Sequence, residues 1–315
     1  MNYVEQELVL HTTEHFGRSV PLTLSSSLLR NLQATTKPCV RMAIEGTSSS
    51  VGATPIWLER AIDIRTLGFS ERNGETILHL SAPELGEAAP RLFEQESLFP
   101  GVASSTDTAL GLVGKLIREV RREDLSSDLY DRPLLSKLGK WKGLLESNLN
   151  SLDFPLGQLN DSELVEFDSK VITSAQILSD KMPVPRQVRV VGKLDMVRHS
   201  TRSFELILAT GSGVRGVLVD GTTDELQKHF GNEVTILGRA IYRPSGSLLR
   251  LDASEILDTT AGRNTFSEIP LPLTTPRRGD RKLQTPKSGV SAFFGTWPGE
   301  ETDAELMEAL AGLRH

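Results

Sequence analysis

The clearest pattern of apolar and polar positions runs from Arg186 to Leu257. Val188, Val190, Leu194 and Met196 mark a long first strand, Phe204, Leu206 and Leu208 a second, and Val214, Val217 and Val219 a third. Alternation of this kind is the signature of a half-buried strand. Gly211-Ser212-Gly213 makes the turn between the last two. Thr223 to Phe230 reads as a short helix capped by Thr222 or Thr223. Val234, Ile236 and Leu237 then open a fourth strand, and Leu248, Leu249 and Leu251 a fifth beyond Pro244-Ser245-Gly246. Three strands, a helix and two strands is the element order of the OB-fold, a five-stranded barrel. An SH3-like or simple meander sheet is the alternative arrangement of the same strands. Phe204 and Phe230 fall at apolar-periodic positions and are expected in the core.

The pattern upstream is mixed. Val40, Met42 and Ile44 alternate with polar neighbours and predict a strand, while Leu28, Leu29 and Leu32 after Ser25-Ser26-Ser27 predict a short helix. Asn73-Gly74 lies between Ile62 and Ile64 on one side and Ile77, Leu78 and Leu80 on the other, and Asn-Gly supplies the positive φ angles of a tight hairpin. Thr106 and Asp107 are candidate caps for a helix with Leu110, Val113, Ile117 and Val120 on one face. A second amphipathic segment follows Pro133, with Leu134, Leu138, Trp141 and Leu145 at helical spacing, and the two together predict a helical hairpin. The run from Leu164 through Val171, Ile172, Ala175 and Leu178 reads as a further helix ending before Pro183.

Beyond Asp258 the periodicity vanishes. Pro270, Pro272, Pro276 and Pro286 interrupt a Thr-, Arg- and Gly-rich stretch that cannot bury enough apolar surface to offset its ordering entropy. The final segment differs again. Phe293, Phe294 and Trp297 stand within five positions in a chain with only 5% aromatic residues, and aromatic anchors are what desolvated interface pockets prefer. Thr302 and Glu305 form a capping box. Glu300, Glu301 and Asp303 place negative charge where a helix start favours it. Leu306, Leu310 and Leu313 make one apolar stripe on a short helix, which needs a surface to lie on. The expected class is thus α+β: a small α+β domain over residues 1–100, a helical region over 101–182, an OB-like β domain over 183–257, a disordered linker over 258–289 and a partner-docking tail over 290–315.

The string from Phe294 through Trp297, Pro298, Gly299, Glu300 and Glu301 to Asp303, followed by Leu306 and Leu310, resembles the C-terminal tail of bacterial antitoxins that accompany PIN-domain ribonuclease toxins. The similarity covers under a tenth of the chain. It implies a PIN-domain ribonuclease as partner and a peptide that wraps it, with a basic side chain, here Arg314, directed at the carboxylate cluster of the toxin. The departure from that pattern is the long body ahead of the tail, in which no helix-turn-helix or ribbon dimer is legible.

The formal net charge of -6 argues against a body that holds nucleic acid chiefly by electrostatics. The OB-like segment nevertheless offers a weak candidate for single-stranded nucleic acid in Arg198, Arg202 and the Tyr242-Arg243 pair. Cys39 is the only cysteine, so neither an intrachain disulfide nor a cysteine-based zinc site can form, which fits a reducing cytoplasm. No secretory signal or membrane-length apolar run is visible. The six histidines never adopt a metal-ligand spacing, and no phosphate-cradling loop or nucleophile elbow is present. Asp195, His199 and Ser200 lie at one strand edge and read as polar loop decoration. The sequence therefore predicts a cytoplasmic binding protein without cofactor or metal: an antitoxin-like protein, or alternatively a nucleic-acid-binding accessory protein whose tail recruits an enzyme.

Overall fold

The computed structural model describes residues 2–49, 52–94, 102–157, 163–198, 200–219, 221, 223–258 and 269–272. The chain divides into Met1–Leu273 and Thr274–His315. All described residues belong to the first unit, so most of the expected linker and the whole docking tail lie outside them.

The body opens with β1 (Tyr3–Thr12), α1 (Leu22–Glu45), α2 (Ile56–Ala61), β2 (Arg65–Arg72), β3 (Glu75–Pro83) and α3 (Leu85–Ala88), then a 3-10 turn at Pro90–Leu92. It continues with α4 (Ala109–Arg121), α5 (Arg132–Gly139), α6 (Lys142–Ser147), β4 (Leu149–Pro155), β5 (Leu164–Phe167) and α7 (Ser169–Lys181). The strands form one antiparallel sheet in the order β2-β3-β1-β4-β5. Strands from both sides of residue 100 thus share one sheet and one core. Leu8 and Leu10 of β1, Leu78 and Leu80 of β3, and Phe154 of β4 meet Leu28, Leu32 and Met42 of α1 and Leu112 and Leu116 of α4 in that core.

The hairpin forms where Asn-Gly placed it. Asn73 and Gly74 have φ of 55° and 85°, and β2 and β3 pair across them. The expected strand at Val40, Met42 and Ile44 is instead the C-terminal part of the 24-residue α1. Leu24, Leu28, Leu32, Thr36, Cys39, Val40 and Ala43 are all buried, and their three-to-four residue spacing outweighs a three-residue alternation. Gly46, at φ 74°, ends the helix and returns its N–H to the Met42 carbonyl.

Other boundaries shift for equally local reasons. Thr108, not Thr106 or Asp107, caps α4: its Oγ1 accepts from the Gly111 N–H at 3.1 Å, while Asp107 pairs with Lys115 at 2.8 Å. The helix expected after Pro133 is two short ones, and no simple hairpin results: α4 lies against α1 and α7, and α5 against α7 and α1. Between α5 and α6, Trp141 is fully buried, donates from Nε1 to Thr35 Oγ1 at 2.9 Å and meets Phe154 and Phe167 edge-on. Such aromatic pairs add about 0.5–1.5 kcal/mol each beyond area burial. The run from Leu164 splits into β5 and α7, because Asp168 between them accepts from the Lys170 and Val171 amides and starts a new helix.

The second half of the body is a closed barrel of β6 (Arg186–Arg198), β7 (Ser203–Ile207), β8 (Gly213–Leu218), β9 (Glu233–Tyr242) and β10 (Leu248–Asp258), with α8 (Thr223–Lys228) between the third and fourth strands. Its order is β10-β8-β7-β6-β9, closed by antiparallel β9 and β10, with β8 and β10 parallel. The expected OB-like topology is therefore present. Val190, Leu194, Leu206, Val234, Ile236 and Leu251 fill the barrel, and Leu226 of α8 plugs it. Phe204 is in this core as expected, but Phe230 is 56% exposed just past α8. It lies beyond the six-residue helix whose Leu226 supplies the plug.

Candidate functional site: the barrel–body cleft

Four barrel residues carry the weak nucleic-acid expectation, and they meet different fates. Tyr242 ends β9 buried, with its hydroxyl donating to the Pro270 carbonyl at 2.8 Å, and burial raises its pKa. It presents no free ring for stacking. Arg243 turns into the body, where Nε and Nη2 donate to Asp128 and Nη1 to Ser247 Oγ and the Leu248 carbonyl. The expected Tyr242-Arg243 binding surface is thus a junction between barrel and body. The reason is the β9–β10 loop, which docks on the segment before α5: the Ser245 amide donates to the Leu125 carbonyl at 3.0 Å.

Arg198 and Arg202 remain on an accessible side. Arg198 closes β6 at the edge of a cleft of about 340 Å³ between barrel and body. Arg202, at φ 53°, sits in the β6–β7 turn, where its charge acts on Glu45. The cleft wall is apolar, from Met42 of α1, Phe93, Val102, and the barrel's Met196 and Phe204. Its polar rim adds Glu45, Asp128 and Arg215, the last 3.7 Å from Asp128. Burial pushes the Glu45 carboxyl up to about 6, opposed by Arg41, 3.2 Å away, and by Arg202. The volume stands at the lower end of ligand pockets.

Below the cleft lies a buried network that sequence reasoning missed. Asp131, 1% exposed, accepts from the Ser48 amide and hydroxyl, from the Leu134 amide, and from Arg250 Nη1 at 3.3 Å. Arg250 of β10 also donates to Asp252 at 2.7 Å and to the Gly46 carbonyl at 3.0 Å. Leu249 beside it belongs to the core of the body rather than of the barrel. The local signal for Asp131 is its place before Arg132-Pro133, the N-cap position of α5. Nothing local marks Arg250 as its partner, 119 residues away.

The tail residues Phe293, Phe294, Trp297, Pro298, Glu300, Glu301, Leu306, Leu310, Leu313 and Arg314 lie outside the described residues, as does His199. Among the described residues, no group of three or more His, Cys, Asp or Glu side chains is arranged to hold a metal ion. No helix among them is long and apolar enough to cross a membrane. Comparison of the chain with protein-family models, curated proteins and solved structures found no match.

Proposed function

We propose that this is an antitoxin-like protein that binds and neutralises a PIN-domain ribonuclease in the cytoplasm through residues 290–315. The observation that carries the reading is the run from Phe294 to Asp303, with its Trp-Pro-Gly-Glu-Glu-Thr core and the leucine stripe behind it. Aromatic anchors ahead of a capped, acidic, amphipathic helix are the composition of a docking peptide.

The test is binding of the full chain, a Ser291–His315 deletion and Trp297→Ala to the product of the gene immediately downstream, with any ribonuclease activity of that product followed in parallel. The deletion is expected to abolish binding and inhibition. Trp297→Ala is expected to weaken binding at least tenfold, as truncating an aromatic hot spot costs about 2 kcal/mol or more. Unchanged affinity after the deletion would remove the tail as the docking element and sink the reading.

One observation favours a second reading, a nucleic-acid-binding accessory protein whose tail recruits an enzyme. OB-folds bind oligonucleotides on their second and third strands, and here those strands, β7 and β8, supply Phe204 and Arg215 to the cleft beside Arg198. Binding of a single-stranded oligonucleotide is then expected to weaken steeply with salt, and Arg198→Ala to reduce the salt slope by about 1. Failure to bind any single strand at low salt excludes it.

A further inference from the structure

β1 places His11 on the sheet face opposite Leu8 and Leu10, and each neighbouring strand brings one carboxylate to it. Its Nδ1 lies 2.8 Å from Glu75 Oε1 at the start of β3, and its Nε2 lies 3.0 Å from Asp153 Oδ2 in β4. A neutral imidazole has one N–H and one lone pair, so it can donate to only one of them while its lone pair faces the other. Both contacts are hydrogen bonds only when the ring is an imidazolium.

The surrounding charges leave this role to His11. On β2, Arg72 is held by Glu7 of β1 through two contacts of 2.7 and 2.8 Å. On β3, His79 stands 3.6 Å from the same Glu7 and bonds Ser70. On β5, Glu166, opposite Asp153 in register, is held by Arg121 of α4 at 2.9 Å. After β1, His15 reaches Glu71 at 3.3 Å and the Gly74 carbonyl at 2.8 Å. Among the described residues, the cation that meets both Glu75 and Asp153 is His11.

We propose that His11 is a proton-operated staple across β1, β3 and β4. With its proton the ring cross-links three adjacent strands; without it, a lone pair opposes one carboxylate and that link is lost. The sheet carries the hairpin of β2 and β3 at this end, so deprotonation loosens the hairpin's attachment to the body. Burial alone would lower the ring's proton affinity, but the hydrogen bond and charge of Asp153, then those of Glu75, outweigh it and raise the pKa above 6.5. A histidine pKa raised on folding contributes stability that is complete below the unfolded value and is lost as pH rises through the folded one.

The experiment uses the full chain: an NMR titration of the histidine rings, with the His11 signal assigned by its absence in His11→Gln, and urea unfolding between about pH 6 and about pH 9. The His11 ring is expected to titrate above the ordinary histidine value, and Asp153→Asn or Glu75→Gln to bring it down. The wild-type urea midpoint is expected to fall across this range and His11→Gln to flatten the fall. A ring that titrates at or below the ordinary value overturns the proposal, as does an equal pH slope in wild type and His11→Gln. If His11→Gln fails to fold, the ring is assigned through its shift in Glu75→Gln, and its midpoint in the wild-type protein decides the matter.

Discussion

Asp131 concentrates in one carboxylate the capping of α5, the turn after α1 and the joint to β10. Its donors are the Ser48 amide and hydroxyl, the Leu134 amide and Arg250. Removing it strands a guanidinium that is only 7% exposed, and breaking a buried ion pair by deleting one partner costs about 3–5 kcal/mol. Asp252 still faces Arg250 at 2.7 Å and softens that cost. Urea unfolding of the full chain is therefore expected to show Asp131→Ala destabilised by about 3 kcal/mol, with Asp131→Asn less affected because it keeps an acceptor for the Leu134 amide. Equal stability of Asp131→Ala and wild type would mean that the network holds nothing together.

Among elements, α1 and α4 show how packing overrides local signals. Pro38 lies inside α1, and a proline that lacks its N–H normally ends or kinks a helix. Burial of Cys39, Val40, Met42 and Ala43 against the body's core keeps the helix going. α4 depends on a missing side chain. A Cβ at Gly114 would stand 2.2 Å from the Pro155 carbonyl oxygen, so helix and β4 meet there backbone to backbone. Gly114→Ala is expected to cost about 1–3 kcal/mol by overpacking. Gly139→Ala, at a position with nothing within 4 Å, is expected to be neutral or to stabilise by up to about 1 kcal/mol. Comparing the two by thermal unfolding separates close packing from helix propensity, and a tolerated Gly114→Ala would refute the contact.

At the scale of the whole molecule, barrel and body are built as one piece. Arg250 reaches Asp131 and the Gly46 carbonyl, Arg243 reaches Asp128, and Leu249 packs into the core of the body. The side of an OB-like barrel on which oligonucleotides usually lie is thereby turned toward α1, leaving a cleft in place of an open groove. Among the described residues, every buried apolar residue of both cores falls between Leu8 and Ala253. The Ser291–His315 deletion is accordingly expected to keep the melting temperature of the full chain while losing its partner. A large drop in melting temperature would show that the tail serves the fold and not a second protein.

The barrel was legible in the sequence because its strands alternate over long stretches and its turns carry Gly or Pro, so period and punctuation agree from Arg186 to Leu257. The Asn73-Gly74 hairpin was legible for the same reason, since positive φ is a property of those two residues themselves. The β4 strand was not, nor the Arg250–Asp131 joint, nor the inward turn of Tyr242 and Arg243. Each depends on what lies opposite, across 119 residues in the case of the joint, and no local period records a distant partner. The sequence alone determined which segments are strands or helices wherever one period persists, and it carries the tail motif on which the proposed function rests. Tertiary structure decided which polar residues are consumed in holding the molecule together, because burial and hydrogen-bond satisfaction are set by neighbours in space.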